Sequence, residues 1–177
     1  MRAMIGIGSN IDPERNISRA LGLLMKEVEI VDVSRFYRTS ALGRPEAPEF
    51  LNGACSIETD CAPRALKTDV LARIEDAVGR VRTADKYAPR TIDLDIALYS
   101  DWVVDETGLR IPDPDIRTRA FLAAALYDLD PRLILPDTGE SLEEVLRVLG
   151  GASLCVDEAF TRRIRQCAIS PRYRSGS

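Results

Sequence analysis

Two aspartates stand one residue apart within residues 86–96, which read Lys-Tyr-Ala-Pro-Arg-Thr-Ile-Asp-Leu-Asp-Ile. Asp93 and Asp95 alternate with aliphatic residues, and this alternation is typical of a strand whose side chains take opposite faces in turn. Both carboxylates therefore share one face, with stems about 6.6 Å apart at about 3.3 Å of rise per residue. Mg²⁺ prefers hard oxygen ligands and needs few from the protein, so the pair predicts a magnesium site. The alternative is the solvated face of an edge strand.

A basic stretch precedes the two aspartates. Residues 79–90 hold four cationic side chains and one acid, Asp85, so their local charge is +3, whereas the whole chain carries −4. The four cations are Arg80, Arg82, Lys86 and Arg90. Guanidinium groups bind phosphate oxygens bidentately and stay charged at any working pH. Acids that carry cations beside arginines that hold phosphates favour phosphoryl transfer over a solvated run of charge.

The composition excludes several other chemistries. The chain has no histidine, which removes serine–histidine and cysteine–histidine catalysis. Its four cysteines lack the paired Cys-x-x-Cys spacing of a zinc site, and we expect reduced thiols in a cytoplasmic protein. No apolar run approaches the ~20 residues of a membrane span, and we expect neither a signal peptide nor a membrane segment. The mildly acidic balance argues against general nucleic-acid binding.

The elements that must position these residues follow from hydrophobic periodicity. We expect a strand through Ile7, a helix over 14–27 capped by Asn10 or Asp12, strands over 29–37 and 51–59, a helix over 63–78 ended by Gly79, and a strand at Asp93. This β-α-β-β-α-β order predicts an α+β, ferredoxin-like core with layered α/β/α arrangement, to which 117–126 and 141–149 add helices. The loop between the second and third strands is long enough to predict a functional role.

Several motifs in register resemble one family. The motifs are Gly-Ser-Asn at 8–10, Glu-Phe-Leu-Asn at 49–52, Gly-Arg-Val-Arg at 79–82, Pro-Arg-Thr-Ile-Asp-Leu-Asp-Ile at 89–96, Ile-Pro-Asp-Pro at 111–114 and Arg-Ala-Phe at 119–121. Together they resemble the 6-hydroxymethyl-7,8-dihydropterin pyrophosphokinases of folate biosynthesis, over roughly residues 3–149. The resemblance implies diphosphate transfer from ATP to a pterin hydroxymethyl group with release of AMP.

The resemblance also implies a role for each matching residue. Asp93 and Asp95 would bind two Mg²⁺ ions, and the catalytic set is Arg80, Arg90, Asp93 and Asp95. The residues expected at the nucleotide are Glu75, Arg82, Tyr87, Asp113 and Arg119. Those expected at the pterin are Thr39, Leu42, Phe50, Asn52 and Phe121, with the two phenylalanines stacking on the ring. The expected partners are ATP and a dihydropterin, bound by a monomer.

Three positions depart from the family pattern. Tyr87 stands for a tryptophan, Ala88 for a glycine and Asp113 for a histidine. Asp113 replaces a potential donor to phosphate with an acceptor that repels it, unless Arg117 or Arg119 neutralises it. A paralogue that acts on a different pterin and a weakened pterin-binding relative therefore stay open. A two-metal nucleotidyltransferase also stays open, because paired aspartates on a ferredoxin-like sheet occur in polymerase palms as well.

The last residues differ in character from the rest of the chain. We predict a catalytic domain over 1–150 and a basic, partly flexible extension over 151–177, with five arginines and no acid after Glu158. The extension is either a docking arm for an anionic partner or a tail whose proximal part packs on the domain.

Overall fold

The structure, a computed structural model, describes residues 1–40, 46, 48–81, 85, 88–150 and 154–169. The first half holds β1 (Arg2–Ser9), α1 (Pro13–Glu27), β2 (Glu29–Val33), β3 (Tyr37–Thr39), β4 (Phe50–Glu58), α2 (Pro63–Ala65), a π-helical segment (Leu66–Leu71) and α3 (Ala72–Val78). The second half holds β5 (Asp93–Tyr99), β6 (Val104–Glu106), β7 (Leu109–Ile111), a 3-10 turn (Pro114–Arg117), α4 (Ala120–Leu129), α5 (Leu142–Leu149), β8 (Cys155–Val156) and α6 (Glu158–Ala168).

The main sheet has the strand order β5-β1-β4-β3-β8, and β2 also pairs with β4. β1 lies between β4 and β5 and is antiparallel to both, with Ile5 opposite Cys55 and Ile96. β2 is antiparallel to β4 as well, so β1 and β2 run parallel and α1 forms the crossover between them. This connectivity confirms the predicted α+β, ferredoxin-like core.

Two hydrophobic clusters cover the two faces of the sheet. One cluster joins Ala3, Ile5 and Ile7 of β1 to α1, α3 and α6. The other joins Met4 and Ala97 to α4 and α5. Successive β1 residues thus point to opposite layers, which confirms the α/β/α arrangement. Asp93 and Asp95 lie on the same face of β5 as Ala97, toward α4, whereas Leu94 and Ile96 are buried in the first cluster.

Most predicted elements are confirmed, and the differences have local causes. The expected strand over 29–37 is interrupted, because the Ser34 hydroxyl accepts from the Ala54 amide at 2.8 Å in place of a strand carbonyl. Asp12 precedes α1 in the left-handed region, at φ 40°, and makes no side-chain cap bond. The helix predicted over 117–126 begins at Ala120, after the 3-10 turn. The β6–β7 hairpin, β8 and α6 were not predicted.

Helix α6 belongs to the hydrophobic core. Its residues Phe160, Ile164 and Ala168 are buried in the cluster formed by α1, α3 and the sheet. The proximal part of the C-terminal segment therefore packs on the domain. Two of its five arginines, Arg172 and Arg174, lie outside the described residues. Among the described helices, none is long and apolar enough to cross a membrane.

Candidate active site

A cavity of about 610 Å³ lies on the α4 side of the sheet. It brings together nine of the candidate catalytic and binding residues: Thr39, Phe50, Asn52, Arg90, Asp93, Asp95, Asp113, Arg119 and Phe121. Glu75 and Arg80 do not line it. Arg80 contacts the Asp93 carboxylate, and Glu75 accepts a hydrogen bond from the Leu94 amide. The predictions for Leu42, Arg82 and Tyr87 fall outside the described residues.

The sheet supplies one end of the cavity. Gly8 of β1 pairs with Asn52 of β4, and a Cβ at Gly8 would lie 2.6 Å from the Asn52 Oδ1 atom. A glycine is thus needed for this amide to occupy its place. Asn52 is 6% exposed and its Nδ2 donates to Thr39 Oγ1 at 2.7 Å. The hydrogen bond fixes the orientation of a buried amide, which can present a polar edge to a ligand.

Two aromatic rings line this cavity from different layers. Phe50 begins β4 in the sheet, and Phe121 lies in the first turn of α4. Both are half-buried, and the Arg119 guanidinium carbon lies 5.7 Å from the centroid of the Phe121 ring. Within the described residues, Arg119 Nε is buried without a hydrogen-bond acceptor. A buried cationic donor of this kind is suited to an anionic ligand.

Acids and arginines form a network at the other end. Arg80 contacts Asp93 Oδ1 at 2.5 Å and also binds Glu75, while Arg90 binds Asp93 Oδ2. Glu75 is 3% exposed and accepts from the Leu94 amide at 2.8 Å. Burial raises the pKa of Glu75, against the Leu94 amide and Arg80, which lower it. The pKa of Arg80 is raised, because the charges of Asp93 and Glu75 outweigh the opposing effect of burial. The guanidinium therefore stays charged.

The segment before β5 is tied to the end of β1. The Arg90 amide donates to Asn10 Oδ1 at 2.7 Å, and the Asn10 amide donates back to the Arg90 carbonyl at 3.1 Å. Ser9 Oγ donates to the Thr91 carbonyl at 2.7 Å. The sequence offered Asn10 as a possible helix cap, and this prediction is wrong. Its hydrogen bonds instead hold Arg90 at the cavity.

The carboxylates of Asp93 and Asp95 provide oxygen donors on one strand face. Their side chains are 18% and 46% exposed, and Asp95 Oδ1 binds Lys67 Nζ at 3.0 Å. Such a donor set fits Mg²⁺, which takes carboxylate oxygens and leaves further positions to phosphates or water. Among the described residues, no group of three or more His, Cys, Asp or Glu side chains forms a metal cluster.

Asp113 lies where this cavity meets a second one of about 560 Å³, and Asp95 also lines both. Burial raises the pKa of Asp113 to about 6, the Asp115 amide opposes this, and Asp95 adds to it. Neither expected arginine neutralises Asp113: Arg117 binds Asp137 and Glu140, and Arg119 Nε lies nearest to a different carboxylate, 3.9 Å from Asp115.

Lys67 lies beside the candidate site and was not among the residues singled out from the sequence. It lines the second cavity with Asp95 and Asp113, and its charge lowers the pKa of Asp113. The side chain comes from the π-helical segment, and such segments are frequent at functional sites. Lys67 precedes Glu75 by eight residues in the predicted helix, a spacing that favours the same helix face. This spacing was the sequence signal that could have identified Lys67.

Comparison with known proteins identifies relatives of this chain. The chain is 38% identical over 148 residues to a 2-amino-4-hydroxy-6-hydroxymethyldihydropteridine pyrophosphokinase of Pseudomonas aeruginosa, covering 82% of this chain and 90% of that one. It is 37% identical over 164 residues to the folic acid synthesis protein fol1 of Schizosaccharomyces pombe, covering 91% of this chain and 22% of that one.

Solved structures share the fold. A crystal structure of Plasmodium falciparum HPPK-DHPS with pteroate superposes with a TM-score of 0.67 at 13% identity, covering 83% of this chain. The chain spans 44% of that longer protein. A family model for 7,8-dihydro-6-hydroxymethylpterin-pyrophosphokinase (HPPK) matches residues 4–131. By this match and by its identity to relatives of similar length, the chain belongs to the 7,8-dihydro-6-hydroxymethylpterin-pyrophosphokinase family.

Proposed function

We propose that this chain transfers a diphosphate group from ATP to the hydroxymethyl group of 6-hydroxymethyl-7,8-dihydropterin, a step of folate biosynthesis, and releases AMP. The observation that carries the proposal is one cavity that joins an aromatic pair and a buried amide to a network of arginines and aspartates. The first half suits a flat heterocycle and the second suits a polyphosphate. Membership of the pyrophosphokinase family supports the same pairing of substrates.

The aromatic end is the proposed acceptor site. Phe50 and Phe121 would stack on the two faces of the pterin, because offset stacking supplies apolar contact without consuming the polar edge of the ring. Asn52 would bind that edge, and its bond to Thr39 holds the amide in one orientation. These roles rest on burial and on the shared cavity, and each can be tested by substitution.

The charged end is the proposed phosphate site. Arg90 and Arg119 line the cavity and would hold phosphate oxygens, since guanidinium groups bind them bidentately, and Arg80 would join them from beside Asp93. Asp93 and Asp95 would hold two Mg²⁺ ions. These ions, when bound, would neutralise charge on the phosphates. Glu75 would keep Arg80 in position.

The proposed reaction is a single displacement. The hydroxymethyl oxygen forms a bond to the β-phosphorus of ATP, and the hydroxyl proton passes to water. The bond between that phosphorus and the oxygen shared with the α-phosphorus breaks, and its electron pair leaves with AMP. Arg80 and Arg90 would hold the transferred group in line, and positioning of this kind accounts for much of phosphoryl-transfer catalysis.

The organisation of the protein is also a proposal. We propose a catalytic domain over 1–150 and an extension over 151–177, acting as a monomer in the cytoplasm on these two small molecules and on no nucleic acid. Light scattering at working concentration tests the oligomeric state. Supercoiled DNA and RNA that fail to inhibit turnover would support the last point.

The assay that tests the function measures nucleotide products. Purified protein, ATP, Mg²⁺ and 6-hydroxymethyl-7,8-dihydropterin should yield AMP and the pterin diphosphate in equal amounts. Release of pyrophosphate would indicate nucleotidyl transfer instead, and the absence of both products would indicate a binding protein. AMP formed only with a different pterin would identify a paralogue with a changed acceptor. The Asp95→Ala variant is the matched control for contaminating kinases.

A further inference from the structure

We infer that the C-terminal segment 154–168 is a working part of the acceptor pocket, in which Leu154 forms a wall and the rest of the segment holds β3 in place. This inference rests on the proposed function, because it takes the acceptor ring to be the ligand that contacts Leu154. The family model matches residues 4–131, so the segment lies outside the matched part of the chain.

Leu154 lines the same cavity as Thr39, Phe50 and Phe121. It is half-buried and packs against the hydrophobic cluster on the α4 side of the sheet. An aliphatic side chain beside two aromatic rings adds apolar contact and excludes water from the edge of a bound heterocycle. Leu154 would therefore contribute to the affinity for the acceptor and not to that for ATP.

Strand pairing sets the position of Leu154. β8 pairs antiparallel with β3, with Val156 opposite Tyr37 and Cys155 opposite Arg38. Continued by one residue, this register sets Leu154 across from Thr39, whose hydroxyl bonds the Asn52 amide. The wall thus lies beside β3, the strand whose Thr39 orients the Asn52 amide.

The segment also anchors the short chain that leads into β3. Both backbone groups of Phe36 bond to it: the carbonyl accepts from the Asp157 amide at 2.8 Å, and the amide donates to Thr161 Oγ1 at 2.9 Å. The Phe36 ring meets the Phe160 ring edge-on, at 5.0 Å between centroids. β3 has three residues and pairs with β4 along one side, and these contacts hold its other side.

An ion pair completes the anchor. Arg38 of β3 contacts Asp157 at 2.5 Å, and the Asp157 side chain is 12% exposed. The other oxygen of Asp157 accepts from the Phe160 amide at 3.0 Å and caps α6. One carboxylate therefore connects the start of α6 to the strand that carries Thr39. Asp157 is a positioning residue, because it acts on the pocket through Arg38.

The test separates the two substrates. Leu154→Ala should raise the KM for the acceptor about three- to tenfold, since it removes several methyl or methylene groups from a partly buried wall. The KM for ATP should stay at the wild-type value. Leu154→Met keeps the volume and should keep the wild-type acceptor KM. Val148→Ala, at an aliphatic position of α5 that is 78% exposed, is the matched control and should change neither constant.

A second variant tests the anchor. Asp157→Asn keeps an oxygen that can cap α6 but loses the charge that binds Arg38, so it should raise the acceptor KM with the ATP KM unchanged. A variant that raised both constants equally, or lowered kcat alone, would show a merely structural role. An acceptor KM for Leu154→Ala equal to that of wild type overturns the inference.

Direct binding distinguishes this inference from the proposed function. Pterin affinity is measured by fluorescence in the presence of Mg²⁺ and a non-hydrolysable ATP analogue, for wild type and Leu154→Ala. A wild type that forms no AMP refutes the function, yet a weaker pterin affinity of Leu154→Ala would still support the pocket wall. Equal affinities, or no pterin binding by either protein, overturn the inference whatever the turnover.

Discussion

Replacement of Asp113 by asparagine should stabilise the protein above pH 6 and leave its stability almost unchanged in acid. Burial raises the pKa of this carboxyl from an ordinary value near 3.8 to about 6. The charged groups that face it are Asp95 and Asp115, which add to the rise, and Lys67, which opposes it. Asparagine keeps an oxygen for the 2.8 Å bond from the Asp115 amide, so the cap of the 3-10 turn survives.

The magnitude follows from linkage. Below pH 3.8 the carboxyl is protonated in both states and the wild type bears no cost. Between the two pKa values the unfolded state ionises first, so stability falls as pH rises, and above the folded pKa the cost is constant. A difference of about two pH units corresponds to ~3 kcal/mol, which partial exposure of the group reduces to ~1–2 kcal/mol. For a chain of this size that is ~2–8 °C in Tm.

The assay is urea unfolding of wild type and Asp113→Asn from pH 4.5 to 8, in the absence of nucleotide. The free-energy difference should be a few tenths of a kcal/mol at pH 4.5 and should reach ~1–2 kcal/mol above pH 6.5. Asp101→Asn, at an exposed position, should show a flat difference near zero. A difference that is the same at both ends of the range, or an asparagine variant that is less stable at pH 8, would refute the reasoning.

Three further substitutions test other parts of the structure. Asp93→Ala should abolish AMP formation, because it removes a proposed magnesium ligand. Tm should shift by only a few degrees, because Arg80 retains its contact with Glu75. Normal magnesium-dependent activity would show that the site is misassigned. Lys67→Met should raise the KM for ATP severalfold, measured at saturating pterin, because it removes the cation beside Asp95 and Asp113. An unchanged KM would show that Lys67 does not contribute to nucleotide binding. Gly53→Ala should cost ~1–3 kcal/mol in urea unfolding, because its Cβ would lie 2.8 Å from the Phe36 ring, and a neutral result would mean that the ring moves freely.

Hydrophobic periodicity was sufficient for the core of the fold. The alternation around Asp93 predicted its shared face with Asp95, and Gly79, which ends α3 at φ 93°, was readable as a helix terminus. Long elements give such signals because many residues repeat one pattern. The sequence motifs likewise brought nine candidate residues to one cavity, although their roles stay predictions.

The remainder depends on contacts between distant parts of the chain. β6, β7 and β8 have two or three residues each, too few for a period to emerge. Helix α6 has apolar residues at 160, 164 and 168 with arginines between them. These arginines led to the prediction of a basic extension, and the helix was not predicted. The partner of Lys67 could not be read from a helix alone, because Asp95 lies 28 residues further along the chain.

The contact between Glu75 and the Leu94 amide also bears on solubility. β5 is at the edge of the sheet, and its outward N–H groups could pair with a strand from a second molecule. Glu75 occupies one of these groups at 2.8 Å, and Lys67 and Arg80 place charge along the same border. Side chains of the proposed phosphate site therefore also protect the sheet against edge-to-edge aggregation. A mutation that disables their network should lower solubility and activity together.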